Sequence, residues 1–473
     1  MLQISAQAET DTGTIEAAPP ESVAVAIAER LAQGSLVYVA LDDRRATDIA
    51  AIAAALVPDA VVIQLPSSDA LPGDDAPASP ANVGLRVAAL RRVRHATTHE
   101  TGPILLVTTA EATAVRYPEP ASFDAAPPRL EVGDTLDVEA FAATAAEIGY
   151  IVDDRIDEPG EIAVRGNVID IFPADRETPV RIEFADGRIT ALRDYDPVSQ
   201  LGSADIACVE VGRATEPLVE KGVALLAHLP DAAIAFDPGV DRRRARFMAI
   251  AADGLPRRKA SADLVATRSW DAAVAKRDVV AIEPDATPSP RFVEQRDPAL
   301  GFAKLAKDVL ADSRLVLVGS PRDLRFLQPR LERRAKIDLV PVERWSEVVA
   351  ARPGTAMMLV APIDRGFASA GVTVVAGADL LGGRARGDEI GASGAGALTG
   401  LSSELRCGDV VVHEEFGIGI VRGLETLPDT GGDAIILCYA KEGRRLVPVA
   451  EADRIWRYGA DADAVTLDTL DGA

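Results

Sequence analysis

The stretch from Glu158 to Phe184, EPGEIAVRGNVIDIFPADRETPVRIEF, constrains the fold of this chain more than any other. Apolar residues alternate with polar ones in short runs that turn-forming residues separate, which is the pattern of consecutive antiparallel strands. Gly166-Asn167 predicts one two-residue turn, and Asp186-Gly187 predicts another. We therefore predict a β-meander with one apolar face and one polar face that carries Arg165 and Arg181. On the residues alone, this polar face is either solvated surface or a docking site.

The residues on either side of this meander follow an α/β rhythm. Buried-type apolar runs at Leu36–Leu41, Ala60–Leu65 and Ile104–Thr109 alternate with amphipathic segments, which predicts a parallel sheet covered by helices. Ala232–Phe236 is an apolar segment of a second stretch with α/β character, and in a smaller α/β unit strands are predicted at Ile337–Val340 among others. Val279–Ile282 is another apolar segment.

The turn after the first of these strands bears on catalysis. Nucleotide-binding α/β proteins carry GxxxxGK[ST] between a strand and a helix of this kind. Here the turn reads Asp42-Asp43-Arg44-Arg45, without a glycine that would let the backbone approach a phosphate and with two carboxylates that would repel it. The GxxxxGK[ST] motif occurs nowhere in the chain. We therefore expect no enzymatic activity and no cofactor, and we read Asp237-Pro238 as an ordinary turn or a vestige.

The net charge limits the class of partner. The chain has 50 Lys and Arg against 73 Asp and Glu, a formal net charge of -23. Strong sequence-independent binding to nucleic acid needs clustered cations, so protein partners fit better and DNA contact is expected to be weak or indirect. The densest cationic run is Arg242-Arg243-Arg244-x-Arg246. A solvated helix face is the favoured interpretation of this run, and a nucleic-acid contact is the alternative.

Cysteine and histidine positions give no metal site. The 3 cysteines are far apart in sequence, which fits a reducing cytoplasm and provides no CxxC pair. His95 and His99 are spaced to share a helix face, but no third ligand lies near them in sequence. No signal peptide and no apolar stretch of membrane-spanning length is apparent, so a cytoplasmic protein without membrane contact is expected.

Residues 402–460 change to short, closely spaced strands, predicted at Val410–His413, Ile418–Thr426, Ala434–Tyr439 and Arg445–Val449. Gly417-x-Gly419 lies within this β pattern and is read as a strand bend. Such spacing predicts a small barrel.

Two of these regions resemble modules of one bacterial family. The motifs Glu158-Pro159-Gly160, Arg165-Gly166, Asp170-x-Phe172-Pro173 and Pro179-x-Arg181-Ile182-Glu183-Phe184 resemble the UvrA-interaction module shared by UvrB and the transcription-repair coupling factors (Mfd). The resemblance implies that Arg165 and Arg181 bind UvrA. An aromatic residue usually follows the equivalent of Phe184 in that family, whereas this chain has Ala185.

The C-terminal region closely resembles the Tudor-like RNA polymerase-interacting module that the coupling factors share with the CarD regulators. The resemblance rests on these motifs: Gly408-Asp409-x-Val411-Val412-His413, Phe416-Gly417-x-Gly419, Gly423-Leu424-Glu425-Thr426, Leu446-Val447-Pro448-Val449 and Ile455-x-Arg457-Tyr458. It implies contact with the polymerase β subunit through a sheet edge at Leu427 and Leu446. For Leu446, a place in the barrel core remains the alternative; for Leu427, which precedes Pro428, exposure is favoured.

The predicted fold is therefore multidomain α/β: UvrB-like parallel-sheet domains with an inserted β-meander, a small α/β domain and a C-terminal Tudor/SH3-like barrel. The expected segments are a disordered lead-in (1–21), a UvrB-like domain without a phosphate loop (22–129), the UvrA-interaction domain (130–212), the second part of the UvrB-like domain (213–296), a small α/β spacer (297–390), a linker (391–401) and the polymerase-interacting domain (402–473).

The resemblance implies a non-catalytic adaptor of transcription-coupled nucleotide excision repair, which binds RNA polymerase and recruits UvrA. In the family, a DNA-translocating ATPase follows these modules, and its motifs do not occur in this sequence. The alternatives are a CarD-like transcription regulator whose UvrB-like part is only a scaffold, and a nucleotide hydrolase with an unrecognised site.

Overall fold

The computed structural model of the chain describes residues 17–70, 77–196, 202–217, 222–254, 263–382, 410–413, 416–426, 433–448, 455–457 and 467. The predicted linker at 391–401 and the predicted contact residue Leu427 lie outside these described residues. Of the predicted lead-in, only the part from residue 17 onward is described.

Helices and strands are numbered in chain order. The helices of the described residues are α1 (Pro20–Leu31), α2 (Asp43–Leu56), α3 (Pro80–His99), α4 (Val138–Glu147), α5 (Val240–Gly254), α6 (Thr267–Val274), α7 (Pro298–Val309), α8 (Pro321–Ala335), α9 (Trp345–Ala350) and α10 (Gly377–Leu381). The strands are β1 (Leu36–Ala40), β2 (Val61–Gln64), β3 (Ile104–Thr109), β4 (Arg116–Tyr117), β5 (Arg129–Glu131), β6 (Ile151–Val152), β7 (Glu161–Arg165), β8 (Val168–Ile171), β9 (Val180–Ala185), β10 (Arg188–Tyr195), β11 (Gly202–Ile206), β12 (Cys208–Glu210), β13 (Val223–Ala224), β14 (Ala233–Phe236), β15 (Thr287–Pro288), β16 (Arg314–Gly319), β17 (Val340–Val342), β18 (Ala356–Val360), β19 (Phe367–Ser369), β20 (Val372–Ala376), β21 (Val410–His413), β22 (Gly417–Thr426), β23 (Asp433–Cys438), β24 (Arg444–Pro448) and β25 (Ile455–Arg457).

The first sheet is parallel, with the strand order β14-β1-β3-β2. Every residue of β1 and β3 is buried, as continuous apolar runs require when helices cover both faces of a sheet. Strand β14 pairs with β1 although the whole β-rich region intervenes between them in the chain. The α/β unit is therefore built from two separate stretches of sequence.

The inserted β-rich region forms a sheet with the order β11-β10-β9-β8-β7-β6, in which only the β6–β7 pair is parallel. One face packs Ile169, Ile182 and Leu192 against Phe141 and its neighbours on α4. The opposite face carries the polar residues predicted for it, because the side chains of a strand alternate between faces.

Helix α3 connects this β-rich unit to the first sheet. Arg91 Nη2 on α3 lies 2.8 Å from a carboxylate oxygen of Glu210. Gly84 faces the backbone of Ala174, and a Cβ added at Gly84 would lie 2.4 Å from the carbonyl carbon of Ala174. Only glycine therefore allows the helix to approach the β-rich unit this closely.

A second α/β sheet has the order β15-β19-β20-β16-β18-β17. One face of this sheet packs into the same hydrophobic core as the first sheet. Val316, Trp345 and Val374 belong to the same hydrophobic cluster as Ile27 of α1 and Ile49 of α2. Helices α1 and α2 thus lie between the two sheets, and the predicted spacer unit shares a core with the first domain.

The C-terminal strands form an antiparallel sheet with the order β24-β23-β22-β21-β25. Its core includes Val411, Val421, Ile435, Leu437 and Val447. Pairing of these described strands leaves β24 and β25 at the two edges of the sheet. Closure into a barrel stays a prediction.

One predicted strand differs from the structure for a local reason. The strand predicted at Ile337–Val340 begins only at Val340, and the backbone N–H of Leu339 donates to the side chain of Glu332 instead of to a neighbouring strand. Val279–Ile282 forms no strand and contributes a single bridge, from Val279 to Ile234.

The described residues therefore have a mixed α/β architecture with several sheets, in agreement with the coarse prediction. Among these residues, no helix combines the length and the apolar character that a bilayer crossing needs.

Candidate docking surfaces

Two hairpin turns place the predicted UvrA-binding residues on one face of the inserted sheet. Gly166 has φ 57°, and Asp186 and Gly187 have φ 50° and 71°, the left-handed conformations that two-residue turns between antiparallel strands require. Strand β7 ends at Arg165, and Arg181 lies in β9. Both side chains lie on the face opposite the apolar core.

Arg181 is held in place by its neighbours. Its Nε and Nη2 lie 2.7 and 3.0 Å from the two carboxylate oxygens of Asp170, which sits directly opposite on β8. Its guanidinium carbon also lies 4.8 Å from the centre of the Tyr195 ring. The hydrogen bonds that Arg181 donates to the Asp170 carboxylate hold the pKa of its guanidinium above the ordinary value. The charge of Arg181 is therefore largely matched within the protein.

Arg165 is exposed, and within the described part of the chain it makes no ion pair. The neighbouring Arg193 differs, because it pairs with Glu183 at 2.6 Å and with Asp205 at 2.8 Å. Of these three arginines on the polar face, Arg165 is the one whose charge remains available to a partner.

The position after Phe184 is exposed. Phe184 is partly buried against the apolar core, whereas Ala185 faces solvent at the end of β9, beside the turn to β10. An aromatic side chain at 185 would extend the polar face with an apolar contact, and the methyl group of alanine provides little of that area.

In the C-terminal sheet, Leu446 is half-buried and does not join the core. It lies on edge strand β24 directly opposite Ile436, whereas the next residue, Val447, is only 2% exposed. Alternation along the strand thus turns Leu446 to the outer face. Among the described residues, Leu446 is not part of the apolar core of this sheet.

Sequence reasoning did not single out Leu424 as a contact residue, although its side chain is 66% exposed. It follows Gly423, which has φ 144°, at an irregularity in the pairing of β22 with β23. The glycine pattern was the available signal, because a bulge redirects the side chain that follows it.

The carboxyl ends of β1 and β14 meet at an internally satisfied cluster. Asp237 is 3% exposed and accepts hydrogen bonds from the Tyr38 hydroxyl at 2.6 Å and from the Arg45 Nε at 2.6 Å. Burial and the Asp237 carboxylate raise the pKa of Tyr38. The Asp42 side chain caps the N-terminus of α2, and Asp43 accepts hydrogen bonds from Ser67. Carboxylates therefore occupy the positions near the helix end where a phosphate would bind.

The cationic run on α5 is partly used inside the protein. Arg244 is 3% exposed, donates to the Val265 carbonyl at 2.7 Å and lies 5.2 Å from the Trp270 ring centre. Burial lowers the pKa of Arg244. Arg243 pairs with Glu111. Only the outer two arginines of the run face solvent without an ion pair among the described residues.

The predicted histidine pair does share a face of α3, with ring centres 4.7 Å apart. Among the described residues, no group of three or more His, Cys, Asp or Glu side chains is arranged to hold a metal ion. Cys208 and Cys438 are free thiols, and Cys407 lies outside the described residues.

Comparison with known families shows what two regions of the chain resemble. Residues 129–216 match the UvrB interaction domain, and residues 405–459 match the CarD-like/TRCF RID domain. The chain thus combines two interaction domains, one in the inserted sheet and one at the C-terminal sheet.

The chain is also similar to curated proteins named transcription-repair coupling factor, and the predicted resemblance to their N-terminal part is confirmed. The coupling factor of Mycobacterium bovis is 27% identical over 556 aligned positions, which cover 94% of this chain and 44% of that protein. The Bacillus subtilis protein is 27% identical over 35% of this chain and 14% of its own length. A Staphylococcus aureus protein is 32% identical over 22% of this chain and 8% of its own length. The chain spans less than half the length of its Mycobacterium relative.

Proposed function

We propose that this chain is a non-catalytic adaptor of transcription-coupled nucleotide excision repair. The observation that carries the proposal is the presence of a UvrB interaction domain and a CarD-like/TRCF RID domain in one chain, within a resemblance to coupling factors that covers 94% of it. One domain would hold the β subunit of RNA polymerase while the other recruits UvrA.

The UvrA arm rests on the polar face of the inserted sheet. Arg165 supplies an exposed guanidinium, and the Asp170 carboxylate fixes the orientation of Arg181 beside it. Guanidinium groups in fixed positions favour docking onto carboxylates, since little side-chain freedom is lost on binding. Ala185 leaves this surface without an aromatic anchor, so we expect the affinity for UvrA to be modest.

The polymerase arm rests on edge strand β24. An edge strand offers unpaired backbone groups to a partner strand, and Leu446 adds an apolar contact on its outer face. Leu427 is proposed to extend the same surface. Leu424, on β22, is a third apolar candidate.

The second candidate is a CarD-like transcription regulator whose UvrB-like part is only a scaffold. Ala185 favours it, because the residue that usually completes the UvrA-binding surface is missing. Under this alternative, the chain binds polymerase and does not bind UvrA.

A binding experiment separates the two. Purified UvrA and the polymerase β subunit are immobilised separately, and the affinities of the wild-type chain, Arg165→Ala and Leu446→Glu are measured. For an adaptor, Arg165→Ala weakens binding to UvrA alone, and Leu446→Glu weakens binding to the β subunit alone. Each variant serves as the folding control of the other.

The outcome against the adaptor is binding of wild-type chain to the β subunit but not to UvrA, with UvrA binding gained in Ala185→Phe. That result would assign the chain to the CarD-like class. Micromolar affinity for ATP would instead favour the hydrolase alternative and overturn both proposals.

A further inference from the structure

Helix α8 presents a row of cations that the function proposed above does not use. Arg325, Arg330, Arg333 and Lys336 are all exposed, and we call these four residues the α8 cationic stripe. At 100° per residue, the three arginines fall within one face of the helix, and Lys336 follows at its C-terminal cap. Arg322 lies on the same face.

The carboxylates of α8 do not neutralise this face. Asp323 is buried and bonds to the Ser320 hydroxyl at 2.8 Å, where it helps to cap the helix. Glu332 accepts hydrogen bonds from Gln328 and from the backbone N–H of Leu339. Both acidic residues of the helix thus accept hydrogen bonds from groups within the protein.

The stripe is unusual for the surface of this protein. Elsewhere many surface arginines pair with a carboxylate, as expected for a chain with a formal charge of -23; examples are Arg94 with Asp124 and Arg176 with Asp194. On α8, Arg334 pairs with Asp297 at 2.8 Å. Arg325 and Arg333 make no ion pair with any residue that the structure describes.

The chemistry of the stripe favours a nucleic-acid backbone over an acidic protein. A protein interface normally contains a buried apolar anchor. The one large apolar side chain here is Phe326, and the Arg330 guanidinium carbon lies 3.4 Å from the centre of its ring. The arginines of this face present a line of guanidinium groups, whose N–H donors match the geometry of phosphate oxygens.

The dimensions also fit a phosphodiester backbone. The segment from Arg325 to Arg333 extends roughly 12 Å at 1.5 Å per residue, or about three to four base-pair rises of duplex DNA. The acidity of the whole chain does not prevent contact, because charges farther than about 8–10 Å are largely screened at physiological salt.

We propose that the α8 cationic stripe binds the phosphate backbone of duplex DNA without reading its sequence. Nucleic-acid contact is thereby placed on α8 rather than on the α5 run, where Arg243 and Arg244 are engaged within the protein. The contact is independent of both protein-docking surfaces, so it stands or falls separately from the adaptor proposal.

The test is a fluorescence-anisotropy titration of the full chain against a labelled duplex of arbitrary sequence. It is repeated at salt concentrations from about 25 to about 200 mM. The variant is Arg325→Gln with Arg330→Gln and Arg333→Gln. The matched control removes the same charge from another exposed surface: Arg242→Gln with Arg246→Gln and Arg268→Gln. Circular dichroism melts check that both triple variants fold as the wild type does.

We expect the α8 variant to bind DNA at least tenfold more weakly at low salt. We also expect it to lower the slope of log affinity against log salt by about 2–3, roughly 0.9 for each lost phosphate contact. The control should keep most of both values. Equal losses in the two variants, or no binding of the wild type at the lowest salt, would overturn the proposal. So would α8-dependent binding of polyglutamate without binding of DNA, which would indicate an acidic protein partner.

Discussion

Arg165 and Arg181 share a face of the inserted sheet but differ in what surrounds their guanidinium groups. Arg181 contacts Asp170 and Tyr195, whereas Arg165 extends into solvent. A residue that is paired inside the protein contributes to stability, and a residue that is free on its surface contributes mainly to binding. The two arginines should therefore separate in experiments.

We predict that Asp170→Asn lowers the free energy of unfolding by about 1–3 kcal/mol, since it leaves Arg181 without its charged partner. Arg165→Ala should change the free energy of unfolding by less than about 0.5 kcal/mol. Urea denaturation measures both. Equal stability of Asp170→Asn and wild type would mean that the Asp170 carboxylate does not hold Arg181.

His228 gives a prediction that depends on pH. It is 3% exposed, with its ring edge-on to those of Tyr117 and Phe123, and burial lowers its pKa to about 4. Above about pH 6.5 the ring is neutral in both states. Between pH 6.5 and 4 the unfolded chain binds a proton that the folded chain does not, so the free energy of unfolding falls as the pH falls, by roughly 3 kcal/mol in total.

The comparison that isolates this effect is wild type against His228→Leu, by chemical denaturation from pH 7 to pH 4. We expect the variant to lose stability less steeply across that window, because its side chain does not titrate. Parallel curves would show that His228 is protonated in the folded state as readily as in the unfolded one.

For individual residues, the sequence predicts which face of a strand a side chain occupies better than it predicts which residues that side chain contacts. Alternation in VRIEF was enough to place Arg181 on the polar face of its strand. Its pairing with Asp170 depends on the register of two strands. The burial of Arg244 depends on Trp270, which lies on a different helix. Such contacts are set by tertiary packing, which local patterns do not encode.

Strand β24 carries the prediction that belongs to a single element. Leu446 and Val447 are adjacent but lie on opposite faces. We predict that Leu446→Glu weakens binding to the polymerase β subunit at least tenfold without lowering the melting temperature. Val447→Ala should lower stability by about 1–3 kcal/mol through the cavity it leaves, while the folded fraction still binds.

The measurements are surface plasmon resonance and a thermal melt on each variant. If Leu446→Glu lowered stability as much as Val447→Ala does, Leu446 would belong to the core and not to the docking surface.

Elements with strong apolar runs were predictable to the residue. Ile104–Thr109 and Val410–His413 have the bounds expected from sequence, since buried strands of β-branched residues tolerate little else. Helix α3 begins at Pro80 because Ser79 caps it and Pro80 occupies its first turn. The strand expected at Ile337 was displaced by a side-chain contact from Glu332, which no periodicity reveals.

At the scale of the whole molecule, the two α/β sheets share one hydrophobic core. Trp345 on α9 is 3% exposed, and its indole N–H donates to Glu29 on α1 at 3.1 Å. Domain boundaries read from composition miss such sharing, because a helix layer between two sheets is apolar toward both. The sequence pattern indicated both sheets and the helices that cover them, but it did not reveal that two of these helices pack between the sheets.

We predict that Trp345→Ala lowers hydrogen-exchange protection in β1 as well as in β16, since a cavity in a shared core weakens both sheets. Phe141→Ala is the control, because Phe141 belongs to the separate core of the inserted sheet and should affect β9 instead. Mass spectrometry of exchanged peptides reads all three strands. Loss of protection confined to β16 in Trp345→Ala would contradict a common core.

The cluster of Tyr38, Arg45 and Asp237 limits how this fold can evolve. Opening this end of the sheet to a phosphate requires the removal of several interlocked side chains. Replacing one member of a buried ion pair typically costs about 3–5 kcal/mol, which is a large share of the stability of most domains. Evolution of nucleotide binding from this fold would therefore pass through intermediates that fold poorly. A substitution on an exposed docking surface costs little stability by comparison, so this corner of the fold is the part that resists change most.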